Sequence, residues 1–140
     1  MYYAFNNSKG EVRSHLVEYL RIINADGKEH GEETKKLIEI AEKNGMRGSE
    51  LKTLIADIDS EKIITPSNNA ERFDQLFYLV NLVVGDDYLL NHSEFDFCIE
   101  VATKMGIPAN KSASIVKEMH NGIKHEVKEP ELNEKVLAMM

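Results

Sequence analysis

Residues 70–84 read AERFDQLFYLVNLVV, and the fold turns on how that run is read. Its apolar residues, Phe73, Leu76, Phe77, Leu79, Val80, Leu82 and Val83, fall all round a 3.6-residue turn and do not alternate as in a strand. As a helix the segment has no polar face, which predicts that it lies at the centre of a bundle. Its core, LFYLVNLVV, is the longest apolar stretch of the chain and is interrupted by Asn81. That is far short of the roughly 20 residues needed to cross a bilayer.

Working outward, the same spacing recurs almost everywhere and no period-2 strand pattern appears. Upstream, TPSNNAE breaks the chain with Pro66 and polar turn formers. Before it, a first helix is expected from Ser8–Glu11 to about Asn24, turning Val12, Leu16, Tyr19, Leu20 and Ile23 inward. A second is expected from Gly31 to about Asn44, burying Leu37, Ile38 and Ala41 and stopping at Gly45. A third follows Ser49 as N-cap, with Leu51, Leu54, Ile55 and Ile58 inward. Downstream, a fifth helix from His92 to Met105 buries Phe95, Cys98, Ile99 and Ala102 and ends at Gly106. The sixth begins after Pro108 and uses Ala113, Ile115, Val116 and Met119. The charged connector KHEVKEPE leads to a last helix over about 130–139, with Leu132, Val136 and Leu137. The expectation is an all-α chain of about seven helices, forming one domain over residues 1–140.

Laid on itself with an offset of 61, the chain aligns without a gap through both central segments. Asp26 meets Asp87, Glu33 meets Glu94, Ala41 meets Ala102, and Gly45 meets Gly106. Ile23 meets Val84, Ile40 meets Val101, and Leu54 meets Ile115. The repeats, about 12–59 and 73–120, are expected to be pseudo-symmetric three-helix halves.

The alignment puts the same pair of carboxylates in both inter-helix segments, and two readings stand. As an EF-hand, NADGKEHGEE would set Gly27 at loop position 6 and Glu33 at 12, but Ile22 then falls at position 1 and Glu29 at 8. The second segment puts Val83 at position 1 and Tyr88 where the glycine belongs, so a regular EF-hand does not fit. A looser site remains, because hard cations need only converging oxygens. Alternatively the residues are turn and cap chemistry. Asp26-Gly27 suits a turn, and NHSE (91–94) matches a capping box with Asn91 as N-cap and Glu94 at N3.

ADGKEHGEETKKLIEIAEKNGM and, more loosely, GDDYLLNHSEFDFCIEVATKMGI carry a resemblance to the tellurite-resistance TerB-like family, over about Val12 to Met119. The resemblance implies an all-helical, non-enzymatic bacterial module associated with stress response. It also implies a divalent cation (calcium, manganese or magnesium) held by Asp26 and Glu33, with Asp87 and Glu94 as the weaker pair. Relatives fused to other modules, such as a DnaJ-type co-chaperone, imply a protein partner. Tyr88 in place of the second-loop glycine and Glu29 in place of an apolar residue depart from the pattern. Tellurite resistance itself is not inferred.

The remaining chemistry is sparse. His15, His30, His92, His120 and His125 form no zinc-hydrolase motif, although His30 and His92 fall near equivalent positions where a nitrogen ligand could join. Cys98 aligns with Leu37 and reads as a small buried hydrophobe; a single cysteine excludes an internal disulfide. No phosphate-binding glycine loop or serine elbow appears. The net charge of −7, with lysines interspersed among glutamates, argues against nucleic acid and anionic membrane as partners. Without a signal-peptide pattern, the expected location is cytoplasmic. The alternative to a cation-binding module is a protein-interaction module whose acidic residues only cap helices.

Overall fold

The computed structural model describes residues 9–23, 31–47, 49–50, 53, 66–84 and 89–140, with side chains of the first helix from His15 onward. Among these residues all regular structure is helical: α1 (Lys9–Ile23), α2 (Gly31–Lys43), α3 (Asn69–Val84), α4 (His92–Lys104), α5 (Ala109–Lys124) and α6 (Glu129–Met139). The helix expected after Ser49 lies mostly outside the described residues. Ser49, Glu50 and Thr53 are helical, and Ser49 lies within the helix instead of capping it, since the Glu50 N–H already reaches the Arg47 carbonyl at 3.1 Å. The chain forms two compact units, one within Asn6–Thr65 and the other built on Pro66–Met140.

In the first unit α1 packs against α2. Leu16, Tyr19, Leu20 and Ile23 are buried as their spacing predicts, and so is Ile22. In α2, Leu37 and Ala41 are buried, but Ile40 takes the inward position expected of Ile38, which is half-buried.

The second unit is built on α3, which packs against α4, α5 and α6. Every residue from Leu76 to Val84 is buried. Removing such Leu, Val or Phe side chains from water contributes about 1.5–3 kcal/mol each. Phe73 and Phe77, one turn apart, stack at 5.2 Å. Asn81 and the hydroxyl of Tyr78 are the polar groups of that stretch, and the Asn81 amide is only half met. Its Nδ2 donates to the Phe77 carbonyl at 2.8 Å, while its Oδ1 meets no donor among the described residues.

Three helices end in the same way. After α2 the Met46 N–H reaches the Ala41 carbonyl and the Gly45 N–H reaches that of Glu42, both at 3.0 Å. After α4 the Ile107 and Gly106 N–H groups reach Ala102 and Thr103, both at 3.1 Å. After α5 the Val127 N–H reaches Gly122 at 2.8 Å and the Glu126 N–H reaches Ile123 at 3.2 Å. Each is a Schellman stop, which turns the chain through one residue of positive φ and satisfies carbonyls that the helix leaves open. That residue is Gly45 (φ 89), Gly106 (φ 106) and Glu126 (φ 55). Glycine takes this backbone freely, whereas a side chain costs about 1–2 kcal/mol.

Gly106 meets a second requirement. Arg72 of α3 donates from Nε to the Met105 carbonyl at 3.0 Å and from Nη1 to Asn69 Oδ1 at 2.9 Å, so a cation caps the C-terminus of α4. A Cβ on Gly106 would lie 3.2 Å from Arg72 Nε, whereas one on Gly45 would meet nothing within 4 Å. The turn into α5 is further tied by buried Ser112, whose Oγ lies 2.9 Å from Thr103 Oγ1 and donates to the Pro108 carbonyl at 3.2 Å.

The two glycines separate backbone strain from the Arg72 contact. Gly45→Ala is expected to lower stability by about 1–2 kcal/mol in urea unfolding, through positive φ alone. Gly106→Ala should cost more, and the excess should vanish in an Arg72→Ala background. Equal costs for the two glycine variants would show that Arg72 yields freely.

Candidate functional site

Of the four carboxylates expected to hold a cation, Asp26 and Asp87 lie outside the described residues, as do Gly27, His30 and Tyr88. Glu33 and Glu94 are described, and both occupy the first turn of a 13-residue helix. Both are half-buried. The register follows from the helix ends: α2 and α4 begin, carry their glutamate and reach their glycine stop at positions 61 residues apart. The helices preceding them also end 61 apart, at Ile23 and Val84.

Glu94 completes the capping box that NHSE predicts. Asn91 Oδ1 accepts from the Glu94 N–H at 2.9 Å, and the Asn91 N–H donates back to Glu94 Oε1 at 3.1 Å. Ser93 Oγ adds a third bond to Asn91 Oδ1 at 2.9 Å. At least one oxygen of this carboxylate is therefore engaged in ending backbone, where its charge also favours the helix N-terminus. His92, beside it, extends into solvent and faces Asp96, with Nε2 3.3 Å from Oδ2.

The sequence reading passed over a second acidic cap. Asn68 Oδ1 accepts from the Glu71 N–H at 2.9 Å at the start of α3. Glu71 Oε2 in turn accepts from the Ser67 N–H at 2.8 Å and from its hydroxyl at 3.1 Å. The signal was present in Asn68 and Glu71 at the spacing of a capping box, within a stretch read only as a chain break. These bonds, led by the one from the Ser67 backbone, hold the Glu71 carboxyl below its ordinary value of 4.5.

Cys98 is fully buried, as expected of its alignment with Leu37. Burial first, and the charge of Glu94 second, push its thiol far above the ordinary range, so it is held protonated and unreactive. Among the described residues no three His, Cys, Asp or Glu side chains converge as a metal-ion group. None of the described helices is long and apolar enough to cross a membrane. In comparisons with known proteins, no family model matches the chain, and neither does a curated protein or a solved structure.

The two caps are separable by experiment. Asn91→Ala removes the acceptor for the first turn of α4 and is expected to cost about 1 kcal/mol in thermal or urea unfolding. Glu94→Gln keeps the reciprocal bond and should cost only a few tenths; a larger loss from Gln than from Ala at Asn91 would contradict the cap. At Glu71 the folded-state pKa is lowered, so its contribution is complete above the ordinary carboxylate value and fades as pH falls below it. Glu71→Gln should therefore melt below the native protein at neutral pH, with the gap closing in acid. A gap independent of pH would refute this.

Proposed function

We propose that this chain is a non-enzymatic, TerB-like helical module of bacterial stress response that holds a divalent cation through acidic inter-helix segments. In this reading the domain spans residues 1–140, with about seven helices in two pseudo-symmetric three-helix halves. Asp26 with Glu33 forms the stronger site, and Asp87 with Glu94 the weaker. The observation that carries it is the common frame of α2 and α4: equal length, a glutamate in the first turn and a Schellman glycine at the end, all at the same offset. Two helices built alike, each preceded by an aspartate seven residues before its glutamate, present oxygen donors in the same order. Calcium, manganese and magnesium are the cations such donors suit. A protein partner and a cytoplasmic location belong to the same reading.

One observation favours a second reading, a protein-interaction module whose acidic residues only cap helices. Glu94 is engaged with Asn91 in a complete capping box. A carboxylate already bonded in a cap needs no ion to explain its place.

Calcium and manganese titration, followed by calorimetry and by melting temperature, separates the two. Bound cation stabilises the folded state by RT ln(1 + [L]/Kd), about 2.7 kcal/mol at a hundredfold excess over Kd. The native protein is expected to melt higher in millimolar cation, and Asp26→Asn with Glu33→Gln should lose that increment while His30→Ala keeps it. An unchanged melting temperature with every divalent cation would leave the capping reading in possession.

A further inference from the structure

The connectors on either side of α5 share one geometry. Each has four residues, Met105–Pro108 and His125–Lys128, and each runs through a Schellman stop into an extended residue, Pro108 (φ −54, ψ 135) or Lys128 (φ −64, ψ 138). They differ at the residue of positive φ, which is glycine in the first and Glu126 in the second. The strained position is thus the hinge that leads to α6.

Beyond that hinge α6 docks by shape and charge. Leu132 fills a notch that exists because residue 122 is glycine: a Cβ there would lie 2.8 Å from both Leu132 methyl carbons. Lys135 Nζ lies 2.6 Å from Glu118 Oε1 on α5, and Lys111 Nζ donates to the Met140 carbonyl at 3.1 Å. Leu132 and Val136 are buried, as the seam of a helix in a groove. A specific docking surface joined through a short strained hinge invites exchange of the docked element between copies.

We propose that α6 is exchanged between two copies of this chain to form a domain-swapped dimer. His, Glu, Val and Lys at positions 125–128 contain no helix breaker, so α5 continues as a helix through His125–Lys128, and Glu126 relaxes into ordinary right-handed backbone. The added turn carries α6 about 6 Å further along the axis. Pro130 then ends the continuation, because it lacks an N–H and disfavours helix at the residue before it. Leu132, Lys135 and Met140 re-form their contacts on the Gly122 notch, Glu118 and Lys111 of the second copy. The two connector bonds to Gly122 and Ile123 are exchanged for those of the added helical turn, and the Glu126 strain is released. The freedom of separate chains is lost, so the balance depends on concentration.

Light scattering after size separation, from micromolar to millimolar protein, is expected to show a monomer and a slowly interconverting dimer. Glu126→Gly makes the hinge comfortable in the closed form and should shift the distribution several-fold toward monomer. The decisive test is charge exchange between two variants. Lys135→Glu and Glu118→Lys each oppose like charges in the closed chain and in its own exchanged dimer, but an exchanged heterodimer pairs opposite charges at both sites. Mixing the two is expected to raise the dimer constant by at least about fivefold over either alone, the effect of two restored exposed pairs. A native protein monomeric throughout, a dimer indifferent to Glu126→Gly, or a mixture no more dimeric than its components would each overturn the exchange.

Discussion

The second unit depends on one constraint, the removal of α3 from water on every side between Leu76 and Val84. A helix with a single apolar stripe needs one neighbour, but one that is apolar all round must be covered by several. Here α4, α5 and α6 all pack against α3. The central helix brings little specificity of its own, because dispersion and burial have no preferred direction. Orientation must come from the polar groups that remain, which explains why the informative hydrogen bonds of this unit sit at helix ends. The polar side-chain groups inside the covered segment are the Asn81 amide and the Tyr78 hydroxyl. The Asn81 oxygen meets no donor among the described residues, which costs on the order of 1–3 kcal/mol and is outweighed by the surrounding apolar burial.

Covering one helix with a short chain requires abrupt reversals, and the Schellman stop supplies them. It redirects the backbone through one residue while pairing the carbonyls that would otherwise point into a tight turn. At Gly106 the stop is coupled to the central helix itself, since Arg72 reaches from the first turn of α3 to the Met105 carbonyl. That bond fixes where α4 ends relative to where α3 begins. The helix-end chemistry and the apolar core are therefore one system: α3 requires neighbours, and its Arg72 sets where one of them stops.

Much of this was legible in the residues. The all-helical class followed from spacing, the centrality of α3 from its missing polar face, and the stops at Gly45 and Gly106 from glycine after a periodic segment. Faces were less legible. In α4 the spacing pointed to Phe95 and Ile99, yet Phe97 and Val101 are buried beside Cys98 and Ala102. The segment FDFCIEV offers two apolar stripes a short rotation apart, and only the position of α3 decides between them. Ile38 and Ile40 pose the same ambiguity in α2. Ser112 and Gly122 were invisible for another reason: a buried hydroxyl and a notch for Leu132 are made by a neighbouring segment, and nothing in their own helix announces them. At the candidate site, the cap at Glu94 was legible because both of its members lie within four residues. Convergence of Asp26 with Glu33 depends on loop backbone, which composition does not determine.

The carboxylates at helix starts are not equivalent once their neighbours are compared. Glu94 has Asn91 three residues before it and Glu71 has Asn68, and in both cases that asparagine caps the glutamate's own N–H. A glutamate so placed is explained by the helix: its charge meets the positive end of the dipole and its oxygen pairs with backbone. Glu33 stands at the same point of α2, but the residue three before it is His30, a poor N-cap. The repeat has kept the acid and changed the residue three before it, from asparagine to histidine. In the proposed reading, Asp26, seven residues before Glu33, is the acid that the repeat pairs with it.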